Sequence, residues 1–125
     1  MDRSEFKRVR KRLEKTQKQM AQLLGVSLKA VHSYEQGWRA VPPAVERQLY
    51  FLVSRQTLTG ARPLCWEMKD CPPGRRAQCP AAEFKCGDLC WLVNGSLCSG
   101  ADQGSWEGKM AFCRSCPVFT SQIAL

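Results

Sequence analysis

Apolar residues recur at helical spacing through the first 56 residues, in short stretches that polar capping residues and glycines separate. Phe6, Val9 and Leu13 lie three and four residues apart and predict an amphipathic helix from about Asp2 to Lys15. Most of its remaining positions are lysine or arginine, which we expect to face solvent.

Thr16 is a natural N-cap and marks the start of a second helix, predicted over Gln17 to Leu24. Gly25 follows immediately and suits the left-handed conformation that ends a helix and turns the chain. The predicted buried face of this helix consists of Met20, Ala21 and Leu24.

Ser27 is positioned to cap a third helix over Leu28 to Gln36, which Gly37 would end. A fourth helix is predicted over Pro43 to Arg55, because proline suits the first helical turn. The apolar sides of these two helices are formed by Val31, Tyr34, Val45, Leu49, Leu52 and Val53. Trp38 suits the core and the surface equally well.

Charge is distributed unevenly along the chain. Residues 1–62 hold 13 lysines and arginines against 5 acidic residues, whereas residues 63–125 hold 6 of each. The whole excess of +8 therefore lies in the first half. A merely solvated basic surface is one interpretation, but a basic surface on a helical half of this kind favours contact with nucleic-acid phosphates.

The two central helices resemble the Cro/C1-type (XRE) helix-turn-helix of phage repressors and bacterial regulators, over roughly residues 1–56. The matching features are Thr16-Gln17, Leu23-Leu24-Gly25-Val26-Ser27, Val31, Tyr34-Glu35, Gly37 and Pro42. Tyr34 departs from the pattern, since tryptophan is common there. The resemblance implies an all-α domain that binds double-stranded DNA as a homodimer.

The resemblance also implies roles for particular residues. Gln17 would anchor a DNA phosphate at the start of the second helix. The groove-facing positions would be Leu28, Lys29, His32 and Ser33, with Ser27 and Arg39 near phosphates. Lys29 could donate to a guanine, and Leu28 could contact a thymine methyl. Arg10 and Glu35 take positions that form a buried ion pair in phage repressors; an exposed, idle pair is the alternative.

All eight cysteines lie between Cys65 and Cys116, in a half with few apolar residues and many glycines and prolines. So small a segment usually needs metal or covalent cross-links. Zinc, an iron-sulfur cluster and disulfides or a thiol switch all remain open. An iron-sulfur cluster is favoured over zinc, because zinc modules generally pair two Cys-x2-Cys knuckles and only Cys113-x2-Cys116 is present. The main apolar groups expected to pack there are Trp66, Phe84, Trp91, Trp106, Phe112 and Phe119.

Residues 63–120 resemble the two-CW domain of regulators and chemoreceptors of anaerobic bacteria. The resemblance rests on the pairs Cys65-Trp66 and Cys90-Trp91, on Cys71-Pro-Pro-Gly-Arg-Arg, on Cys79-Pro-Ala and on the closing Cys-x2-Cys. Cys86 lies outside the pattern and is expected to be a spare thiol. The metal ligands we predict are Cys65, Cys71, Cys79, Cys90, Cys98, Cys113 and Cys116.

The predicted organisation is an all-α helix-turn-helix domain over residues 1–56, a linker over 57–63, and a small irregular domain over 64–125 stapled by metal or disulfides. The sequence shows no catalytic arrangement, secretory signal or apolar run long enough to span a membrane, so we expect a non-enzymatic cytoplasmic protein. The expected function is transcription regulation with a redox- or ligand-sensing module. The alternative is a zinc-stapled adaptor that docks a partner protein and senses nothing.

Overall fold

The computed structural model describes residues 1–57, 64–68, 71–92 and 104–123. The chain divides into two compact units, the first ending at Thr57 and the second comprising residues 58–124. Within the described residues all regular structure is helical, and no strand is present. The all-α class predicted for the first unit is therefore confirmed, whereas the second unit, which was predicted to be irregular, is helical as well in its described residues.

Four helices build the first unit: α1 (Arg3–Arg12), α2 (Gln17–Leu24), α3 (Leu28–Gln36) and α4 (Pro43–Thr57). The predicted bounds of α2 and α3 are confirmed. The prediction for α1 ran too far: the helix ends at Arg12, and Glu14 has a left-handed φ of 57°. The prediction for α4 stopped too early, because the helix continues to Thr57, the first residue of the predicted linker. The rest of that linker lies outside the described residues.

Local capping explains why α2 and α3 begin and end where they do. The Thr16 hydroxyl accepts the Gln19 N–H at 3.1 Å, and the Gln19 side chain accepts the Thr16 N–H at 3.0 Å. This reciprocal capping box satisfies two donors that would otherwise lack partners. The Ser27 hydroxyl caps α3 through the Ala30 N–H at 3.0 Å. Gly25 and Gly37 end the two helices with φ of 67° and 78°, as predicted.

The core of the first unit collects side chains from all four helices. The completely buried ones are Phe6, Val9, Met20, Val31, Leu49, Tyr50 and Val53. Leu13 and Leu52, which were predicted to be core, are only half-buried. Two buried polar groups of this unit pair with each other: the Tyr50 hydroxyl donates to the Glu5 carboxylate at 2.6 Å, which ties α4 to α1.

Short helices build the second unit: α5 (Cys65–Met68), α6 (Pro73–Arg76), α7 (Pro80–Glu83), a 3-10 turn (Cys90–Leu92), α8 (Trp106–Cys113) and α9 (Pro117–Gln122). Prolines occupy the first position of α6, α7 and α9. A proline is preorganised there, and its missing N–H costs nothing because the first helical donors have no internal partner. The Cys-Pro pairs at residues 79 and 116 therefore mark helix starts.

The second unit is organised around Trp91, whose side chain is completely buried. Its ring meets Phe119 edge-on, with 5.9 Å between centroids. Its indole N–H donates to Gln122 Oε1 at 3.1 Å, and the Gln122 amide in turn donates to the Asp88 carbonyl. Phe84 does not join this core, contrary to prediction, because it ends α7 with 65% of its surface exposed.

Among the described residues no helix is both long enough and apolar enough to cross a membrane.

Candidate functional site

A buried polar network joins the first three helices. The Arg10 guanidinium pairs with Glu35, and the Gln17 side-chain amide donates to the other Glu35 oxygen. Arg10 also reaches the Lys15 carbonyl at 3.0 Å. The Glu35 side chain is only 4% exposed and that of Arg10 15%, so the predicted bracing pair is confirmed and the idle surface pair is wrong.

The charge state of this network follows from competing effects on Glu35. Burial raises the pKa of its carboxyl group, but the hydrogen bonds from Arg10 and Gln17, with the positive charges of Arg10 and Lys7, lower it by more. The net result is a pKa below the ordinary value of 4.5. Glu35 is therefore ionised at neutral pH and holds α3 against the other two helices as a charged acceptor.

The amino-terminal turn of α3 is exposed and carries two of the residues predicted to read DNA. Leu28 keeps 49% of its surface exposed, and Lys29 beside it is exposed as well. Because the Ser27 cap fixes the start of the helix, both side chains leave the surface from a defined position. An exposed aliphatic group beside an exposed ammonium group can contact a thymine methyl and a guanine edge respectively.

His32, in the middle of α3, and Trp38, just after its carboxyl-terminal end, form an aromatic pair. The rings meet edge-on with 5.4 Å between centroids at an angle of 77°. Trp38 is 73% exposed, so it does not belong to the core, and His32 is half-buried. Arg39 is exposed. This end of α3 therefore adds a large exposed ring and a cation to the surface that begins at Leu28.

Ser33 does not face this surface, so that prediction is wrong. The residue is only 7% exposed, and its hydroxyl donates to the Lys29 carbonyl at 2.9 Å. Its own carbonyl accepts the Trp38 N–H at 3.0 Å, which folds the chain after Gly37 back onto the helix. Packing against the rest of the unit, together with this returning segment, buries a position that the family pattern would expose.

Gln17, the predicted phosphate anchor, begins α2, and its side chain already has a protein partner. Its amide donates to Glu35, and a side-chain NH2 group has two donor hydrogens, so this bond leaves donor capacity for a phosphate. The first N–H groups of α2, at Gln17 and Lys18, lack intrahelical acceptors and can add to an anion site. Lys18 is exposed and was not singled out from the sequence. Its position in the first turn of the predicted second helix could have identified it as a candidate phosphate contact.

The predicted metal ligands fall into two classes of exposure. Cys65, Cys79, Cys90, Cys113 and Cys116 are buried, whereas Cys71 and Cys86 are half-buried. Cys98 lies outside the described residues. Cys71 is a predicted ligand and Cys86 the predicted spare thiol, yet both are half-buried. Burial therefore does not distinguish predicted ligands from the spare thiol.

The pKa of the Cys71 thiol depends on its burial and on neighbouring charged groups. Burial raises the pKa of the Cys71 thiol above its ordinary value of 9.0; the positive charge of Arg75 opposes the rise, and Cys79 and Cys65 add to it. Even so, in the described part of the chain no three Cys, His, Asp or Glu side chains converge closely enough to hold a metal ion. The described thiols therefore do not form a ready-made site, and a metal would have to draw its ligands together.

Comparison with protein-family models, with curated proteins and with solved structures finds no match to this chain.

Proposed function

We propose that residues 1–57 bind duplex DNA in a sequence-selective way, with the amino-terminal turn of α3 in the major groove, and that the protein regulates transcription. The observation that carries the proposal is the exposed pair Leu28 and Lys29 on a helix start fixed by the Ser27 cap. An exposed aliphatic group beside an exposed ammonium group suits base reading, because leucine can contact a thymine methyl and lysine can donate to a guanine.

Rigid support for this turn strengthens the proposal. Glu35 lies on α3 itself and is held by Arg10 of α1 and Gln17 of α2, so the helix that would enter the groove is braced by the helix that would contact phosphate. A recognition surface needs such preorganisation, because base contacts depend on side chains placed within a fraction of an ångström. The excess charge of +8 in the same half supplies the phosphate attraction.

One helix of this size contacts only a few base pairs, so adequate affinity at cellular salt requires a homodimer. The two half-sites would lie about one helical turn apart on the DNA. The proposed reading residues are Leu28, Lys29 and His32. The proposed phosphate contacts are Gln17, Ser27 and Arg39.

The test is selection of binding sites from random duplexes, followed by affinity measurements on variants. Lys29→Ala should relax preference at one base position and cost about 1–3 kcal/mol there. Gln17→Ala should weaken binding equally on all sequences. Lys11→Ala is the matched control, because it removes the same charge from the exposed face of α1; it should lower affinity and the salt dependence without changing preference.

Two results would overturn the proposal. The first is a full-length protein that selects no sequence from random duplexes. The second is a Lys29→Ala variant that behaves like Lys11→Ala on every duplex, which would mean that α3 contributes charge alone.

For the second unit we propose that its cysteines bind an iron-sulfur cluster or zinc and that the bound state alters DNA binding. The concentration of all eight cysteines between Cys65 and Cys116 supports this assignment, because so small a unit usually needs metal or covalent cross-links. Anaerobically purified protein with a brown colour and absorbance near 400 nm would indicate a cluster, whereas colourless protein with stoichiometric zinc would favour the adaptor alternative, in which this unit docks a partner protein.

Cys116→Ser should lose the metal, and Cys86→Ser should keep it. Equal operator affinity before and after metal removal would contradict a sensing role.

A further inference from the structure

The second unit contains an open pocket of about 330 Å³ between α6 and α7. Three small apolar residues, Pro73, Ala77 and Ala82, form what we call the apolar wall, and the two charged residues that line the pocket are Arg76 and Glu83. Its volume lies at the lower end of the range for small-molecule sites. Its described lining contains no cysteine and belongs to the second unit, whereas the proposed DNA surface belongs to the first.

Arg76 is held in place without being neutralised. Its guanidinium lies over the Trp66 ring, 5.5 Å from the centroid, within the range of a cation–π interaction. Its Nε is buried and has no hydrogen-bond partner among the described residues. This Nε is enclosed by the protein, so an anionic ligand would meet the Nη groups of the guanidinium, which the Trp66 ring holds in place.

The support behind Arg76 is itself tightly constrained. Trp66 packs on the backbone of Gly87 so closely that a Cβ atom there would lie 2.6 Å from Cζ3 of the ring. The Gly87 carbonyl accepts the Cys65 N–H at 2.7 Å, which fixes the residue next to Trp66. The guanidinium thus rests on a ring that cannot move toward Gly87.

The charges of the pocket select the ligand. Arg76 can take a planar carboxylate in a bidentate way, and Glu83 adds a negative charge that a ligand ammonium group would neutralise. Glu83 would repel a phosphate dianion or a simple carboxylate, neither of which offers an ammonium group to offset that repulsion. We propose that this pocket binds a small aliphatic α-amino acid, with its carboxylate on Arg76, its ammonium group toward Glu83 and its side chain on the apolar wall.

Calorimetric titration of the full-length protein tests the proposal with L-valine and three related probes. The first probe, 3-methylbutanoate, lacks only the ammonium group; the second, 2-methylpropylamine, lacks only the carboxylate; the third is inorganic phosphate. L-valine should bind at one site per chain. Each of the other probes should bind at least about tenfold more weakly than L-valine. Glycine, L-alanine and L-leucine then define the size that the apolar wall accepts.

Two variants assign the charged contacts. Arg76→Gln should weaken L-valine about tenfold to a hundredfold, whereas the matched control Arg75→Gln, which removes the neighbouring charge of α6 outside the pocket, should change affinity by less than about twofold. Glu83→Gln should weaken L-valine and should not weaken 3-methylbutanoate, since it removes a negative charge that repels a simple carboxylate. Since Glu83 is exposed, this variant remains informative even if Arg76→Gln fails to fold.

Four results would contradict the proposed amino-acid site. No saturable binding of any amino acid, tighter binding of phosphate or 3-methylbutanoate, or equal losses in Arg75→Gln and Arg76→Gln would each overturn the proposal. Equal weakening of L-valine and 3-methylbutanoate by Glu83→Gln would overturn it as well. The titrations contain no DNA, so the amino-acid site and the proposed DNA-binding function can fail independently.

Discussion

Removing one partner of the buried pair Arg10 and Glu35 should destabilise the first unit far more than removing an exposed arginine. Arg10→Met leaves a carboxylate whose side chain is 4% exposed without its cation. Breaking a fully buried pair typically costs about 3–5 kcal/mol. Gln17 still donates to Glu35, and Arg10 is itself 15% exposed, so we expect about 2–3 kcal/mol in the free energy of unfolding.

The double-mutant cycle distinguishes an interaction from two separate losses. Glu35→Gln should cost about 1–2 kcal/mol, because Arg10 keeps the Lys15 carbonyl and partial access to water. The double variant should cost less than the sum of the single ones by about 1–2 kcal/mol, since it no longer buries an unpaired carboxylate. Arg8→Met, an exposed change on the same helix, is the control and should cost less than about 0.5 kcal/mol.

The assay must report the first unit alone. Tyr34 and Tyr50 are the two tyrosines of the chain, and both are buried in that unit. Fluorine NMR of protein labelled with 3-fluorotyrosine therefore follows its unfolding in urea independently of the second unit. Single-variant costs that add within about 0.5 kcal/mol would refute the proposed coupling.

The coupling should also depend on pH. A carboxyl group with a lowered folded pKa contributes stability that is fully present above its ordinary value of 4.5 and is lost as the pH falls through the folded value. The difference between the native protein and Arg10→Met should therefore shrink in acid. A difference that stays constant down to well below pH 4.5 would contradict an ionised Glu35.

Further predictions concern the second unit, and tryptophan fluorescence in urea measures each of them. Gly87→Ala should lower stability by about 1–3 kcal/mol, because its Cβ would overlap the rigid Trp66 ring, whereas Gly74→Ala in α6 meets nothing within 4 Å and should be neutral or stabilising. Equal effects at the two glycines would rule out the overlap. Gln122→Leu should cost about 2–4 kcal/mol, since it deprives the Trp91 indole N–H of its buried acceptor; a neutral result would mean that water replaces the amide.

The sequence alone was sufficient for the bounds of α2 and α3, because their ends are set by short-range chemistry. Thr16 and Ser27 satisfy helix donors within their own first turns, and Gly25 and Gly37 supply the left-handed conformation that most residues avoid. The end of α1 was missed because Leu13 continues the apolar spacing. Apolar spacing alone does not show where the backbone leaves the helix.

Only the tertiary structure decided which polar residues are buried. Ser33 and Gln17 looked like surface positions, yet Ser33 is covered, and Gln17 is committed to Glu35, which lies 18 residues away in sequence. The same holds for Trp38, whose hydrophobicity suits a core but whose position after Gly37 leaves it in solvent.

In the second unit the spacing of the cysteines did not predict which thiols lie together or that Arg76 rests on Trp66. Such juxtapositions are set by packing between short helices, each too small to specify its neighbours through its own periodicity. Local hydrogen bonds within a few residues can be identified from the chain itself. Contacts between distant residues exist only once the helices have packed, because burial then determines which side chains must find partners in the protein rather than in water.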